Sequence, residues 1–457
     1  MLGKLNFSRA LSESKNVYIL LKFNEVRHLE GAKKLMSQEK MKEGDISYTN
    51  VKRNDDVLRD IVPEEEDLAQ SIDEKMKIIS SFRRFNRVPQ ELKKGSEYSY
   101  SPKLVSIGPF HHGVDNLKTM EEHKWCYLNT LVSRKPINTQ TILDNCVKTL
   151  RKLEDKARKC YSENTFEQIG SNEFVQMMLL DSCFLIELFI KFVIKGFRRR
   201  DDILFINYDM FFRLRCDLIL LENQIPFFIL HQMFNLVPIP KECTYSLMQL
   251  ALLFFRKLIP GDGLVTIQKF GPNVHHILDL IHHCYLPTSP QVHSNGTQKH
   301  MHNVLHLHDV GIKFKKAISD SVMNVRFTKD RVLEIPSLKI HSYSEILFKN
   351  MVALEQCGTF RSGAKHVASY VYLMKSLVRS ADDASYLTDR EILDSSLYND
   401  DEIFQLMMRL HVEFDVKDFY YSGICEKVNG YKKKNKWKKC SQKISNVYKK
   451  TAKGISC

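Results

Sequence analysis

Apolar and polar positions recur at helical spacing along most of this chain, and the pattern breaks at a few marked places. Between Glu173 and Lys195 nearly every position is apolar, as in a helix buried on all sides. Asp181, Glu187 and Lys191 interrupt the run. A bilayer span wants about 20 residues with few or no charges, so this helix is expected in the protein core and not across a membrane. A second helix is expected from about Thr141 to Tyr161. From Asp115 onward, Leu117, Met120, His123 and Tyr127 fall at helical spacing. Ser344–Cys357 repeats the pattern through Ile346, Phe348, Met351, Val352 and Leu354, and helices then recur to Val428.

The breaks are as informative. Val88-Pro89 marks a boundary, because proline disfavours the helical region for the residue before it. Tyr98–Gly113 holds two prolines and two glycines among β-prone residues, which predicts a short strand and turn. Asp209–Leu236 contains two apolar stretches on either side of Glu222-Asn223-Gln224 and Pro226. One helix should end or kink there, with the proline in the first turn of the next helix and the three polar residues satisfying the freed backbone groups. Residues 286–300 read as a flexible loop, and Val325–Ile340 as a small hairpin turning at Thr328-Lys329-Asp330. The fold class that follows is mainly α: a large helical globular body with a few short β-strands or hairpins.

Charge divides the chain further. Residues 1–75 are polar, with an acidic run at Pro63–Asp67, and are expected to form a poorly ordered leader. Residues 76–430 form the helical body. Residues 431–457 carry ten lysines and no acid, so of a net charge of +14 only about +4 belongs to the other 430 residues. A basic tail attracts anionic surfaces. Within it Trp437, Cys440, Ile444, Val447 and Tyr448 share one helical stripe, bordered by Lys438, Lys439, Lys443, Lys449 and Lys450. A cationic amphipathic helix with tryptophan on its apolar side suits an anionic membrane surface. The alternative is a helix that packs this stripe on the body. Nucleic-acid binding is the weakest reading, since the aromatics are few and not spaced as a stacking platform.

With 43% hydrophobic and 27% charged residues, a chain of 457 can bury a substantial core without metal or disulfide staples. Its eleven cysteines form no C-x-x-C pair and are odd in number, which favours reduced, mostly buried thiols. Val17–Leu21 is too short for a secretory core and is ended by Lys22. A cytoplasmic or membrane-peripheral location is expected.

Chemistry-bearing motifs are sparse. There is no G-x-S-x-G elbow, P-loop, dinucleotide fingerprint or kinase motif set, so no catalytic residue and no cofactor are assigned. Nine of the 17 histidines lie between His275 and His308. The pairs His275-His276 and His282-His283 and the i,i+4 pair His302 and His306 have metal-compatible spacing. Without H-E-x-x-H or a cysteine pair, the reading is solvated histidines beside a variable loop, and no metal is assigned. His111-His112 sits on a turn, where a histidine can act as a general base or hold the turn through a hydrogen bond.

Several segments, taken in order, resemble one plant family. They are Arg87-Val88-Pro89, Tyr100–Gly113 (YSPKLVSIGPFHHG), Met120–Lys124 (MEEHK), Met177–Glu187 (MMLLDSCFLIE) and Asp217–Phe228 (DLILLENQIPFF). Gly311–Phe314 (GIKF), Leu333–Ile340 (LEIPSLKI) and Ser344–Cys357 (SEILFKNMVALEQC) complete the set. Together they resemble the plant family of domain of unknown function 247. The resemblance implies a plant protein with a mostly helical fold and minor strands. Members typically end in a single membrane-spanning helix, and some are implicated in reproduction, including self-incompatibility between pollen and stigma in grasses. This sequence departs from that pattern at its end: either this member is naturally without the spanning helix or the sequence is a truncated product, and peripheral attachment by the basic helix is the expectation. The functional expectation is a non-catalytic interaction or recognition protein with an unknown protein partner. Two alternatives stand beside it: an enzyme of unrecognised class, metal-assisted through the histidines, and nucleic-acid binding through the tail.

Overall fold

A computed structural model describes residues 85–134, 139–162, 168–261, 274–287, 300–319, 321–357, 365–410 and 419–430. The fold is mainly α, as the periodicity predicts. The principal helices are α1 (Thr119–Val132), α2 (Thr139–Lys159), α3 (Ser171–Val193), α4 (Tyr208–Asp217), α5 (Phe227–Leu236) and α6 (Leu247–Phe254). They continue with α7 (Ile277–Tyr285), α8 (Val304–Asp309), α9 (Ser344–Cys357), α10 (His366–Leu377), α11 (Ala381–Thr388) and α12 (Asp400–Arg409).

Helix α3 is the hub of the N-terminal half, packed by α1, α2, α5 and α6. Almost every residue from Phe174 to Lys191 is buried, which is why its sequence is apolar on all faces. The three charges inside it are each matched. Asp181 meets Lys124 at 2.6 Å, Glu187 meets Arg134 at 2.6 Å, and Lys191 meets Asp202 at 2.9 Å. Tyr127 donates its hydroxyl to the same Asp202 at 2.8 Å and lies with its ring 3.8 Å from the Lys191 ammonium. Among the described residues no helix is long and apolar enough to cross a membrane.

In the C-terminal half α9 packs on α10, α11 on α12, and α8 on α11. A three-stranded sheet of order β1-β3-β2 joins them, formed by β1 (Lys313–Ala317), β2 (Arg326–Phe327) and β3 (Val332–Pro336). Strands β2 and β3 are antiparallel and make the expected hairpin, whereas β1 adds to β3 in parallel, from Lys313 opposite Val332 to Ala317 opposite Pro336. A parallel pair of β4 (Leu338–Lys339) and β5 (Leu393–Asp394) lies beyond. One apolar cluster runs from Phe85 to Val428 through both halves.

Tyr98–Gly113 corrects the sequence reading, because it contains no strand. It has 3-10 turns at Glu97–Ser99 and Pro109–His111, with an irregular, largely buried path between them. Its backbone groups bond to distant side chains instead of to a neighbouring strand. The leader 1–75, the tail 431–457 and most of the expected loop at 286–300 lie outside the described residues.

Candidate functional site

The densest polar construction among the described residues surrounds the link between α4 and α5, residues 217–226. Pro226 precedes the first residue of α5, and α4 ends at Asp217, as the proline predicts. The nine residues between are buried, so their polar groups need internal partners. Asp217 accepts from the amides of Lys103 at 3.0 Å, Leu104 at 2.6 Å and Val105 at 2.9 Å. Asn223 accepts from Ile107 N–H at 2.7 Å and donates to the carbonyls of Val105 at 3.0 Å and Asp217 at 2.9 Å. Gln224 donates to Leu218 and Leu220 carbonyls at 2.9 and 2.8 Å and accepts from Leu278 N–H at 3.2 Å. The link therefore closes its own backbone, as expected, and also holds residues 103–107 in place of a strand.

Asp181 and Lys124 extend the clamp. Asp181 accepts from Gly108 N–H at 2.7 Å, and Lys124 donates to Ser106 carbonyl at 2.5 Å. Burial works against the Lys124 ammonium, but the Asp181 and Glu121 carboxylates outweigh it and hold its pKa above the usual lysine value. Burial pushes Asp217 up to about 6, against the three amide donors, so it is anionic at neutral pH. Gly108 has φ +76°, and a Cβ there would collide with the Gln224 carbonyl, so glycine is required.

Glu222 lies at the rim of this region. Its carboxylate accepts from Val88 N–H at 2.7 Å and Lys93 Nζ at 2.7 Å, with Arg87 at 3.7 Å and His111 Nε2 at 3.6 Å. Burial pushes His111 down to about 4, overriding the attraction of Glu222, so the imidazole is neutral at neutral pH. His112 points the other way, to Glu173 on the surface at 3.1 Å. His112 thus ties the turn to α3, whereas His111 is packed beside Glu222 with no hydrogen bond at its Nε2 among the described residues. No hydroxyl or thiol nucleophile is placed beside His111 by a hydrogen bond among the described residues.

The histidine-rich region departs from its reading as solvated at 275–283, whereas His300, His302 and His308 are exposed as expected. His276 and His282 are buried, and His275 and His283 are half-buried. His276 caps α7 by accepting from Asp279 N–H at 3.1 Å, and His282 Nε2 lies 2.8 Å from Glu355. His302 and His306 stack at 4.5 Å between ring centroids, near the surface. Asp279, His282 and His283 form the one group among the described residues whose donor atoms could share a metal ion, all lying within 4.8 Å of one another. Burial opposes the Asp279 anion, but the His283 and His276 imidazoles and the His275 amide outweigh it and set its pKa below the ordinary carboxylate value. Neither Asp279 nor Glu355 is part of a recognisable chemical motif in the sequence. The D-x-x-H-H spacing of Asp279, His282 and His283 was the available signal.

The residues singled out for surface binding, Trp437, Lys438, Lys439, Lys443, Ile444, Val447, Lys449 and Lys450, lie outside the described residues. Nine cysteines are described and all are free thiols, six of them buried. Burial pushes Cys160, Cys216, Cys284 and Cys425 up to about 12, which makes them inert.

A helical body whose buried charges are committed to fixing irregular backbone defines the class: a mainly α scaffold with minor strands. The chain belongs to the DUF247 family, described as plant protein of unknown function, whose family model matches residues 85–457. It is similar to UPF0481 protein At3g47200 of Arabidopsis thaliana, 29% identical over 378 residues that cover 76% of this chain and 77% of that one. It is also similar to Putative UPF0481 protein At3g02645 of the same plant, 30% identical over 209 residues covering 44% and 37%. No solved structure matches.

Proposed function

We propose that the protein is a non-catalytic recognition scaffold that attaches to anionic membrane surfaces through residues 431–457. The observation that supports this most is the charge distribution: ten lysines and no acid in that segment, against a nearly balanced remainder. Each lysine near an anionic leaflet contributes about 1 kcal/mol. Trp437, Ile444 and Val447 supply an apolar edge for the interface. A non-catalytic role is favoured by how the polar groups of the body are used. Asp217, Asn223, Gln224, Asp181 and Lys124 all serve backbone groups or one another. A place in reproductive recognition rests on the family resemblance alone.

Flotation with vesicles tests the membrane half. The full chain is expected to float with vesicles containing phosphatidylserine, to lose binding as salt rises, and to ignore neutral vesicles. Replacing Lys438, Lys439, Lys443, Lys449 and Lys450 by glutamine should abolish flotation, and Trp437→Ala should weaken it. Equal binding to neutral vesicles, or none to anionic ones, overturns the proposal.

A further inference from the structure

Asp279, His282 and His283 stand at positions i, i+3 and i+4 of α7, so they share one face of a single helical turn. The arrangement is held from both sides. Asp279 is fixed by accepting from His275 N–H at 2.9 Å and by its own amide on His276. One carboxylate oxygen then lies 3.4 Å from His283 Nδ1, which also donates to the Asp279 carbonyl at 2.7 Å, a bond that an ion taking this nitrogen would displace. His282 is fixed by Glu355, which is buried on α9 and also accepts from the amides of Val367 at 2.9 Å and Ala368 at 2.8 Å in the first turn of α10. An imidazole whose one nitrogen is engaged by a carboxylate presents the other to an ion, and such outer carboxylates recur behind metal-bound histidines.

We propose that Asp279, His282 and His283 bind one divalent transition-metal ion of the zinc class, with Glu355 as the outer positioning residue. Two imidazoles and one carboxylate suit borderline ions such as zinc and disfavour magnesium or calcium, which take oxygen donors. Donor atoms around tetrahedral zinc stand about 3.4 Å apart. The three groups, within 4.8 Å of one another, need to draw together by up to about 1.4 Å. A water or a further donor completes the coordination. His283 is half-buried, which gives the ion a path from solvent. Because Glu355 joins His282 to the start of α10, the ion would brace α7 against the α9–α10 pair. The site is independent of the membrane proposal and requires no catalysis.

The test uses the full chain without a polyhistidine tag, stripped with chelator and then given zinc chloride. Elemental analysis after gel filtration is expected to return about one zinc per chain. Cobalt in place of zinc should give the visible absorption of a tetrahedral or five-coordinate ion, a readout that needs no variant. His283→Ala, at the half-buried position, should bring the stoichiometry close to zero. His112→Ala, which removes a histidine paired with Glu173 on the surface, should leave it unchanged. Glu355→Gln should weaken zinc about 10- to 100-fold. Thermal melts of each metal-free variant separate lost binding from lost folding. Zinc well below one per chain together with no cobalt band overturns the proposal. So does a folded His283→Ala that retains full stoichiometry.

Discussion

Single side chains carry much of the organisation of this protein. Asp217 gathers three consecutive amides, and an amide side chain cannot replace it without setting N–H against N–H. Asp217→Asn is expected to cost about 3 kcal/mol in chemical denaturation, the range for a buried donor or charge left uncompensated. His111 makes a pH-dependent contribution of known sign. Its folded pKa is depressed from 6.5 to about 4, so on acidification the unfolded chain takes up the proton first. Its stabilising effect is complete above pH 6.5 and is lost as pH falls toward 4. Urea unfolding across that window should give His111→Gln a shallower loss than the parent, by up to about 1.4 kcal/mol per pH unit.

Elements differ in how far the sequence discloses them. Helices α2, α3 and α9 were legible because their apolar period is long and local, and α3 kept its charged positions because partners exist for each. Pro226 announced the α4–α5 break. Residues 98–113 were misread as strand because their composition is β-prone while their bonding partners, Asp217 and Asn223, lie more than 110 residues away. Nothing within a local window signals such a pairing. The burial of His282 was hidden in the same way, since Glu355 stands 73 residues further on. The α1–α3 contact carries its own prediction. Lys124→Met should destabilise by about 3–5 kcal/mol by stranding Asp181 in the core. Adding Asp181→Leu should cost less than the sum of the single changes, although Gly108 N–H then lacks its acceptor. Gly108→Ala should be worse tolerated than alanine at Gly170, which has open space around it.

Across the whole molecule these local terms meet in one acid profile. Burial pushes Glu187 up to about 7, against the favourable Arg134 and Lys191 cations. A raised folded pKa means that the folded chain binds the proton more tightly, so this group adds stability below pH 4.5 and loses it as pH rises through about 7. Glu187 and His111 therefore act in opposite directions between pH 4.5 and 6.5. Relative to the parent, Glu187→Gln and His111→Gln should tilt the stability curve in opposite senses over that interval, as unfolding titrations will show.

The grip on residues 103–108 has a further outcome. Asp217, Asn223 and Asp181 hold amide hydrogens that every residue other than proline possesses, while Gly108 is dictated by its conformation and Val105 and Ile107 by the core they fill. Ser101 and Lys103 look outward from that path. Evolution is thus free to repaint these outward positions while the track beneath them stays the same, and relatives built on one frame can wear different faces there.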